Sequence, residues 1–357
     1  MNRNLRTILV GLVALCLFAS YPLQAALARP MHEFPRVGKY EVLCGDFHMH
    51  TQYSDGRFKP RERVVEAWQH GYDAVAITDH GSCKSYAEAL PLAQSLGIVL
   101  IRGMESGMAI GEHYVLIGFS DKYEPQNSHK WADKPGAETA FYQDQMREVK
   151  ANAGLIIWAH PHTGFRDPTK WGIAQGVIQG VEVKNGVVGQ GWNTTLTHGS
   201  WCYPNGFDWG LENNLAVFAN SDEHGARGAE QGPITLLLVE KRTAKGVMDA
   251  VRARRTVAWF DGMLWGRKEL LTDLVGGMVK ARRTEDGSGA TQLRLENLGP
   301  VPLKARLQAK CAPTDPISIG PYESVLIECP DLPQNLNVQW DNIWINPREN
   351  LLTRLGE

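Results

Sequence analysis

The chain has 357 residues, with 37 Lys plus Arg against 39 Asp plus Glu and a formal net charge of −2. At about 150 residues per domain this length predicts two domains or one large one. Apolar residues make up 43% and charged residues 21%, which excludes a disordered or collagen-like chain, and without a basic excess there is no nucleic-acid footprint. The 36 Gly and 11 Trp fit a loop-rich enzyme with aromatic pockets better than a helical bundle.

The chain opens with Arg3 and Arg6, an apolar run over 8–20 that is short for a bilayer, and Ala26-Leu27-Ala28. This is the pattern of a secretory signal peptide over 1–28, with cleavage after Ala28. The expectation is a periplasmic or secreted protein that leaves the membrane once cleaved. Of six cysteines, Cys16 falls in the leader, leaving Cys44, Cys83, Cys202, Cys311 and Cys329. None has the C-x-x-C spacing of a thiolate zinc site. In an oxidising compartment Cys311 and Cys329 form the expected pair, since both lie in a β-rich C-terminal stretch, and the odd count leaves a free thiol.

A strand is expected over 40–47. Pro60 then opens a helix with Val64, Val65, Ala67 and Trp68 on its apolar face and Gly71 as its stop. A strand over 72–77, a helix over 84–96, strands over 98–101 and 113–119 and a helix over 138–152 follow. Further strands are expected over 155–159, 180–184, 215–219 and 234–240, and a helix over 243–254. This alternation predicts an α/β fold with a mostly parallel sheet covered by helices, open or closed into a barrel. Past about residue 266 the character changes. Strands over 291–298, 302–309 and 324–327, with Gly and Pro turns between them, predict a small antiparallel β domain over 266–357.

The 11 histidines are clustered. His48 and His50 end the first strand, and residues two apart in a strand face the same side. Asp55 follows in a turn. Asp79 and His80 follow the second strand, Glu105 the third, and His113 opens the next. His160 and His162 flank Pro161, and Asp222 and His224 follow another strand. Almost all sit where a strand ends, the edge at which α/β folds build their sites. Imidazole and carboxylate without thiolate suit zinc, manganese or iron and suit calcium poorly. The set exceeds the needs of one tetrahedral ion, so two or three divalent ions are expected.

Five segments carry a resemblance. Gly45-Asp46-Phe47-His48-Met49-His50-Thr51-Gln52-Tyr53-Ser54-Asp55-Gly56, Ile77-Thr78-Asp79-His80, Gly103-Met104-Glu105, Ala159-His160-Pro161 and Ser221-Asp222-Glu223-His224 resemble the motifs of the PHP (polymerase and histidinol phosphatase) superfamily. The resemblance covers about residues 41–260, and the opening stretch is most similar to the secreted phosphodiesterase branch. It implies a distorted (β/α)7 barrel over 29–265 with a two- or three-metal site that hydrolyses phosphoesters. The ligands it implies are His48, His50, Asp55, His80, Glu105, His113, His160, Asp222 and His224, with Glu105 bridging. The eight-residue spacing between Glu105 and His113 is shorter than the family often has. The C-terminal stretch lies outside the motifs.

Such a site would activate a bridging water to hydroxide and neutralise phosphoryl charge. Asp79 is expected either to orient a ligand or to serve only as a turn residue. His162 is a spare imidazole, either a donor to the phosphate or leaving group or a plain surface histidine. Arg166, Lys184 and Arg227 can each pair with a phosphate or be ordinary solvated charges. Residues 186–213 are expected as a long loop whose Trp192, Trp201, Tyr203, Phe207 and Trp209 form a lid or simply pack. Asn193-Thr194-Thr195 matches a glycosylation sequon. The expected function is hydrolysis of a small phosphodiester. The alternatives are a phosphomonoesterase, a metallohydrolase of another bond such as an amide, and a non-catalytic metal carrier. The oligomeric state is left open.

Overall fold

The computed structural model describes residues 29–30, 32–109, 112–125, 138–162, 164–188, 202–228, 231–285 and 291–355. The expected leader over 1–28, the sequon at Asn193, and Trp192 and Trp201 lie outside the described residues.

The main sheet starts from β1 (Glu41–Asp46), β2 (Ala74–Ile77) and β3 (Val99–Ala109), which pair in parallel. The helices α1 (Pro60–Gln69) and α2 (Ser85–Ser95) connect them. Pro60 occupies the first turn of α1, where its missing N–H costs nothing, and the Lys59 N–H is capped by Glu62. Val64 and Ala67 bury its inner face. β4 (Glu112–Ile117) returns antiparallel to β3, and β5 (Leu155–Trp158) pairs antiparallel with β4. β6 (Ile178–Asn185) and β7 (Ala216–Asn220) then continue in parallel. On the other side of β1 lie the antiparallel strands β8 (Ile234–Val239) and β9 (Thr256–Phe260). β2, β5, β7 and β8 are buried along their whole lengths, as continuous apolar strands covered on both faces should be.

β7 ends the strand order, yet it returns beside β8 and β9. The Val217 N–H donates to the Thr256 hydroxyl (3.1 Å) and the Ala219 N–H to the Thr235 hydroxyl (3.0 Å). The run curls on itself through hydroxyls rather than a backbone ladder, an arrangement compatible with a distorted barrel. The helices α3 (Glu138–Ala151), α4 (Asp167–Ala174), α5 (Pro204–Glu212) and α6 (Ala244–Arg252) complete this part.

The expected loop over 186–213 is corrected: its second half is α5. Tyr203 and Phe207 are buried, and Trp209 stacks on Trp158 with ring centroids 5.2 Å apart. These aromatics pack the helix against the sheet. Pro204 at its start and two glycines within it hide the helical period in the sequence.

The expected boundary near 266 falls between β10 (Met263–Trp265) and α7 (Lys268–Met278). The three expected C-terminal strands are present with four more, and four of these seven extend the main sheet. β16 (Leu336–Asn346) runs parallel to β10 and antiparallel to β13 (Leu303–Leu307) and β17 (Glu349–Leu355). β14 (Ile317–Ile319) adds to β13, while β11 (Val279–Glu285), β12 (Thr291–Asn297) and β15 (Ser324–Glu328) form a separate sheet. One hydrophobic cluster joins Val64 and Leu236 to Trp340 and Leu351, so both parts share a core. Cys311 and Cys329 are bridged, as expected, with Cα atoms 5.1 Å apart.

Candidate metal centre

Beyond β1 the backbone runs straight on through His50, held on both sides. His48 O accepts from the Asp222 N–H (2.7 Å), the His50 N–H donates to Glu223 O (2.9 Å), and Met49 O accepts from the Thr78 N–H (2.8 Å). The two imidazoles of the H-x-H therefore face one side, with ring centroids 5.3 Å apart. The turn that follows needs a glycine: a Cβ on Gly56 would stand 2.4 Å from the His50 carbonyl carbon. Asp79 secures that turn. Its carboxylate accepts from the Thr51 N–H (2.6 Å), the Thr51 hydroxyl and the Ser54 hydroxyl (2.9 Å). It thus holds the stretch between His50 and Asp55.

Glu105 sits inside β3, which is longer than the sequence suggests. The β3–β4 hairpin brings His113 back to it, and a short bridge joins it to His80. Glu105 Oε2 lies 3.1 Å from His48 Nε2, 3.2 Å from His50 Nε2 and 3.1 Å from His80 Nδ1. Its Oε1 lies 2.9 Å from His113 Nδ1 and 3.2 Å from His160 Nε2. One carboxylate thus touches five imidazoles. Asp222 Oδ1 lies 3.1 Å from His48 Nε2 and 3.0 Å from His50 Nε2. At the exposed edge, Asp55 approaches His224 Nε2 (3.3 Å), His50 Nδ1 (3.6 Å) and His80 Nε2 (3.6 Å).

Three overlapping groups could each hold an ion: His50, Asp55, His80 and His224; His48, His50, Glu105 and Asp222; and His80, Glu105 and His113. His160 reaches the third through Glu105 Oε1. The structure therefore brings all nine candidate ligands together. Two of them carry left-handed backbone, Asp222 at φ 54° and His160 at φ 24°. Such conformations cluster where side chains are held for a function.

The charges balance poorly without a cation. His48 Nε2 and Glu105 Oε2 are buried, adjacent, and without a hydrogen-bond partner. Burial alone would lower His50, but bonds to Asp222 and Glu105 raise its pKa to about 9. Burial would raise Asp222, but the charge of His48 and the bond from His50 bring it down to about 2. A proton or a cation is thus favoured where these ligand atoms converge. Acceptor atoms of imidazole and carboxylate meeting at such points fit divalent metal ions.

A family model described as the PHP domain matches residues 46–171. This stretch is similar to a PHP domain. The matched stretch holds candidate ligands from His48 to His160, while Asp222 and His224 join the centre from beyond it. Over 92% of this chain and 99% of the other, the fold is similar to a two-domain Bacteroides vulgatus protein containing a predicted PHP-like metal-dependent phosphoesterase (TM-score 0.78, 24% identity). The chain is 36% identical over 84 residues to a 5'-3' exoribonuclease of Haemophilus influenzae, covering 23% of this chain and 30% of that protein. It is 34% identical over 82 residues to a 3',5'-nucleoside bisphosphate phosphatase of Chromobacterium violaceum, covering 22% and 29%. The match to PolC-type DNA polymerase III of Streptococcus sanguinis spans 65 residues at 42% identity, 18% of this chain and 4% of the polymerase. The chain thus spans only a small part of these curated relatives.

The remaining candidates lie around this centre. His162 lies at the rim, its Nδ1 donating to His160 O (2.7 Å), and burial lowers its pKa. The Arg227 side chain is buried, paired with Asp46 and donating to the hydroxyls of Tyr72 (2.6 Å) and Ser221 (2.6 Å), so it braces the fold. Lys184 pairs with Asp261 at 3.5 Å, and Arg166 precedes α4 as its N-cap residue. No motif points to Glu182, Asn185 and Asn220, yet these buried residues lie directly against the centre. The available signal is an acidic residue between Val181 and Val183 of β6.

Proposed function

We propose that this PHP-like domain is a metal-dependent phosphoesterase for a small phosphorylated substrate, with phosphodiester hydrolysis as its reaction. The single observation that carries this reading is Glu105, whose two oxygens reach five histidines on four segments of the chain. We assign His48, His50, Asp55, His80, Glu105, His113, His160, Asp222 and His224 as holders of two or three divalent ions. When bound, such ions would supply Lewis acidity and an activated water for in-line attack.

The chain's own residues supply the rest. Asp79 holds the turn before Asp55 so that the open side of the centre keeps its shape. Donation from His162 Nδ1 to His160 O makes Nε2 the nitrogen that exchanges a proton near the leaving oxygen. Its lowered pKa keeps the ring neutral at pH 7 in the free protein, and an anionic phosphate beside it would raise that value.

A monoesterase is the second reading, favoured by similarity to the nucleoside bisphosphate phosphatase; similarity to the exoribonuclease favours a diester. Hydrolysis of bis-(p-nitrophenyl) phosphate and p-nitrophenyl phosphate with added manganese, zinc or iron separates the two. The diester should turn over faster. Turnover of the monoester alone would reverse the assignment, and hydrolysis of neither would remove both readings.

We also infer export. The leader pattern is joined by the Cys311–Cys329 bridge, which suits an oxidising compartment. Arg29, the first residue after the cleavage site, is docked on Gly71 O, Tyr72 O and Asp73. Mass spectrometry of exported protein should find Arg29 as its N-terminus, and an intact leader would contradict this.

A further inference from the structure

Glu182 lies on β6 directly behind the centre, with no solvent exposure. Its Oε1 accepts from His48 Nδ1 (2.8 Å) and Asn220 Nδ2 (2.9 Å). Its Oε2 accepts from the His160 N–H (2.7 Å) and Asn185 Nδ2 (3.0 Å). All four partners are donors, and together they use the acceptor capacity of an ionised carboxylate. Two of them belong to candidate ligands.

The consequence for His48 follows from imidazole chemistry. Donation from Nδ1 makes Nε2 of a neutral ring an acceptor. That Nε2 lies 3.1 Å from both Glu105 Oε2 and Asp222 Oδ1, which are acceptors as well. Only a proton or a cation at this point reconciles the three atoms. His160 is held in another way. It has left-handed backbone, φ 24°, immediately before Pro161, where sterics favour extended conformations. The bond from its N–H to Glu182 secures that turn and aims the ring at Glu105.

We propose that Glu182 is the positioning residue of the metal centre: it sets His48 as the Nδ1–H tautomer with Nε2 toward the metal, and it pins the His160 turn. This rests on the metal reading of the cluster and is independent of which ester is cleaved. Glu182→Gln keeps the shape but replaces one acceptor by a donor. Facing His48, the new amide would donate to Nδ1 and move the ring proton to Nε2, the metal-facing atom. Facing His160, it would set N–H against N–H and release the turn.

The test uses the full chain with 15N-labelled histidine. Long-range 1H–15N spectra of the zinc-loaded wild type should show His48 protonated at Nδ1 and metal-bound at Nε2. By calorimetry E182Q should bind zinc about 10–100-fold more weakly, with an altered His48 signal and a retained circular-dichroism spectrum. Zinc-loaded wild type with His48 protonated at Nε2, or E182Q with wild-type affinity, overturns this inference alone. A wild type that binds no zinc overturns the metal reading and this inference with it. If E182Q does not fold, the wild-type spectrum still decides the matter.

Discussion

Glu105 and His113 are eight residues apart and 2.9 Å apart, carboxylate Oε1 to imidazole Nδ1. The β3–β4 hairpin makes this possible. Glu105 pairs with Val115 across the antiparallel ladder, so the chain leaves the centre after Glu105 and re-enters it before Val115. The short spacing is thus a geometric consequence of a tight return, and His113 needs no long loop to reach its place.

The same carboxylate gives the sharpest mutational expectation. Glu105→Gln removes a charge shared by several imidazoles and turns one arm into a donor facing the ions. Changes one step further out typically cost about 10–100-fold, so this one should cost more, with lowered metal content. Elemental analysis and hydrolysis assays on the same preparation check it. Full metal and full activity would mean that Glu105 is not at the heart of the centre.

His162→Ala should behave differently. The ring lies at the rim, donates through Nδ1 to His160 O, and is outside the three groups that could hold an ion. Metal content should stay at the wild-type level while turnover falls about 10²–10⁴-fold, the usual range for a proton-transfer group. Loss of metal in this variant would instead make His162 a ligand.

Metal affinity should depend steeply on pH. Bonds to Asp222 and Glu105 push His50 up to about 9, so below that pH a proton competes with a cation for the ring nitrogen. Binding then releases the proton, and affinity should rise about tenfold per pH unit per proton as pH climbs toward 9. His80 is lowered to about 4, chiefly by burial, so it is already neutral and adds no such dependence above pH 5. Manganese binding followed by calorimetry from pH 6 to pH 9 measures the slope. A flat profile would contradict the assignment of His50.

Cutting the C-terminal bridge should leave the centre alone. Cys311→Ser releases a loop closed over 18 residues and should lower stability by about 2–4 kcal/mol. Denaturant unfolding reads the loss, and metal content should remain unchanged. A variant as stable as the wild type would show that the bridge is dispensable.

The legible parts of this molecule share one property: their residues are near neighbours in the chain or lie at strand ends. His48 with His50, Asp79 with His80, and Asp222 with His224 stand out because periodicity and turn chemistry act locally. Pro60 marked α1, and apolar runs marked β2, β5 and β8. What escaped depends on partners far away in sequence. Glu182 reads as one polar residue in a strand until His48, 134 positions earlier, is placed beside it. The α5 helix escaped because Pro204, Gly206 and Gly210 blur its period, though Phe207 packs it firmly onto Trp265. Of the C-terminal strands β12, β13 and β15 were legible, while β11, β14, β16 and β17 were not, and nothing local says that β16 pairs with β10.

The most direct measurement is chelation followed by stepwise repletion. Protein stripped with a chelator should lose hydrolysis of bis-(p-nitrophenyl) phosphate. Manganese or zinc added in known equivalents should restore it, with the rise ending at two or three ions per chain. Activity untouched by stripping, or bound metal that restores no phosphoester hydrolysis, would contradict a metal-dependent phosphoesterase built around Glu105.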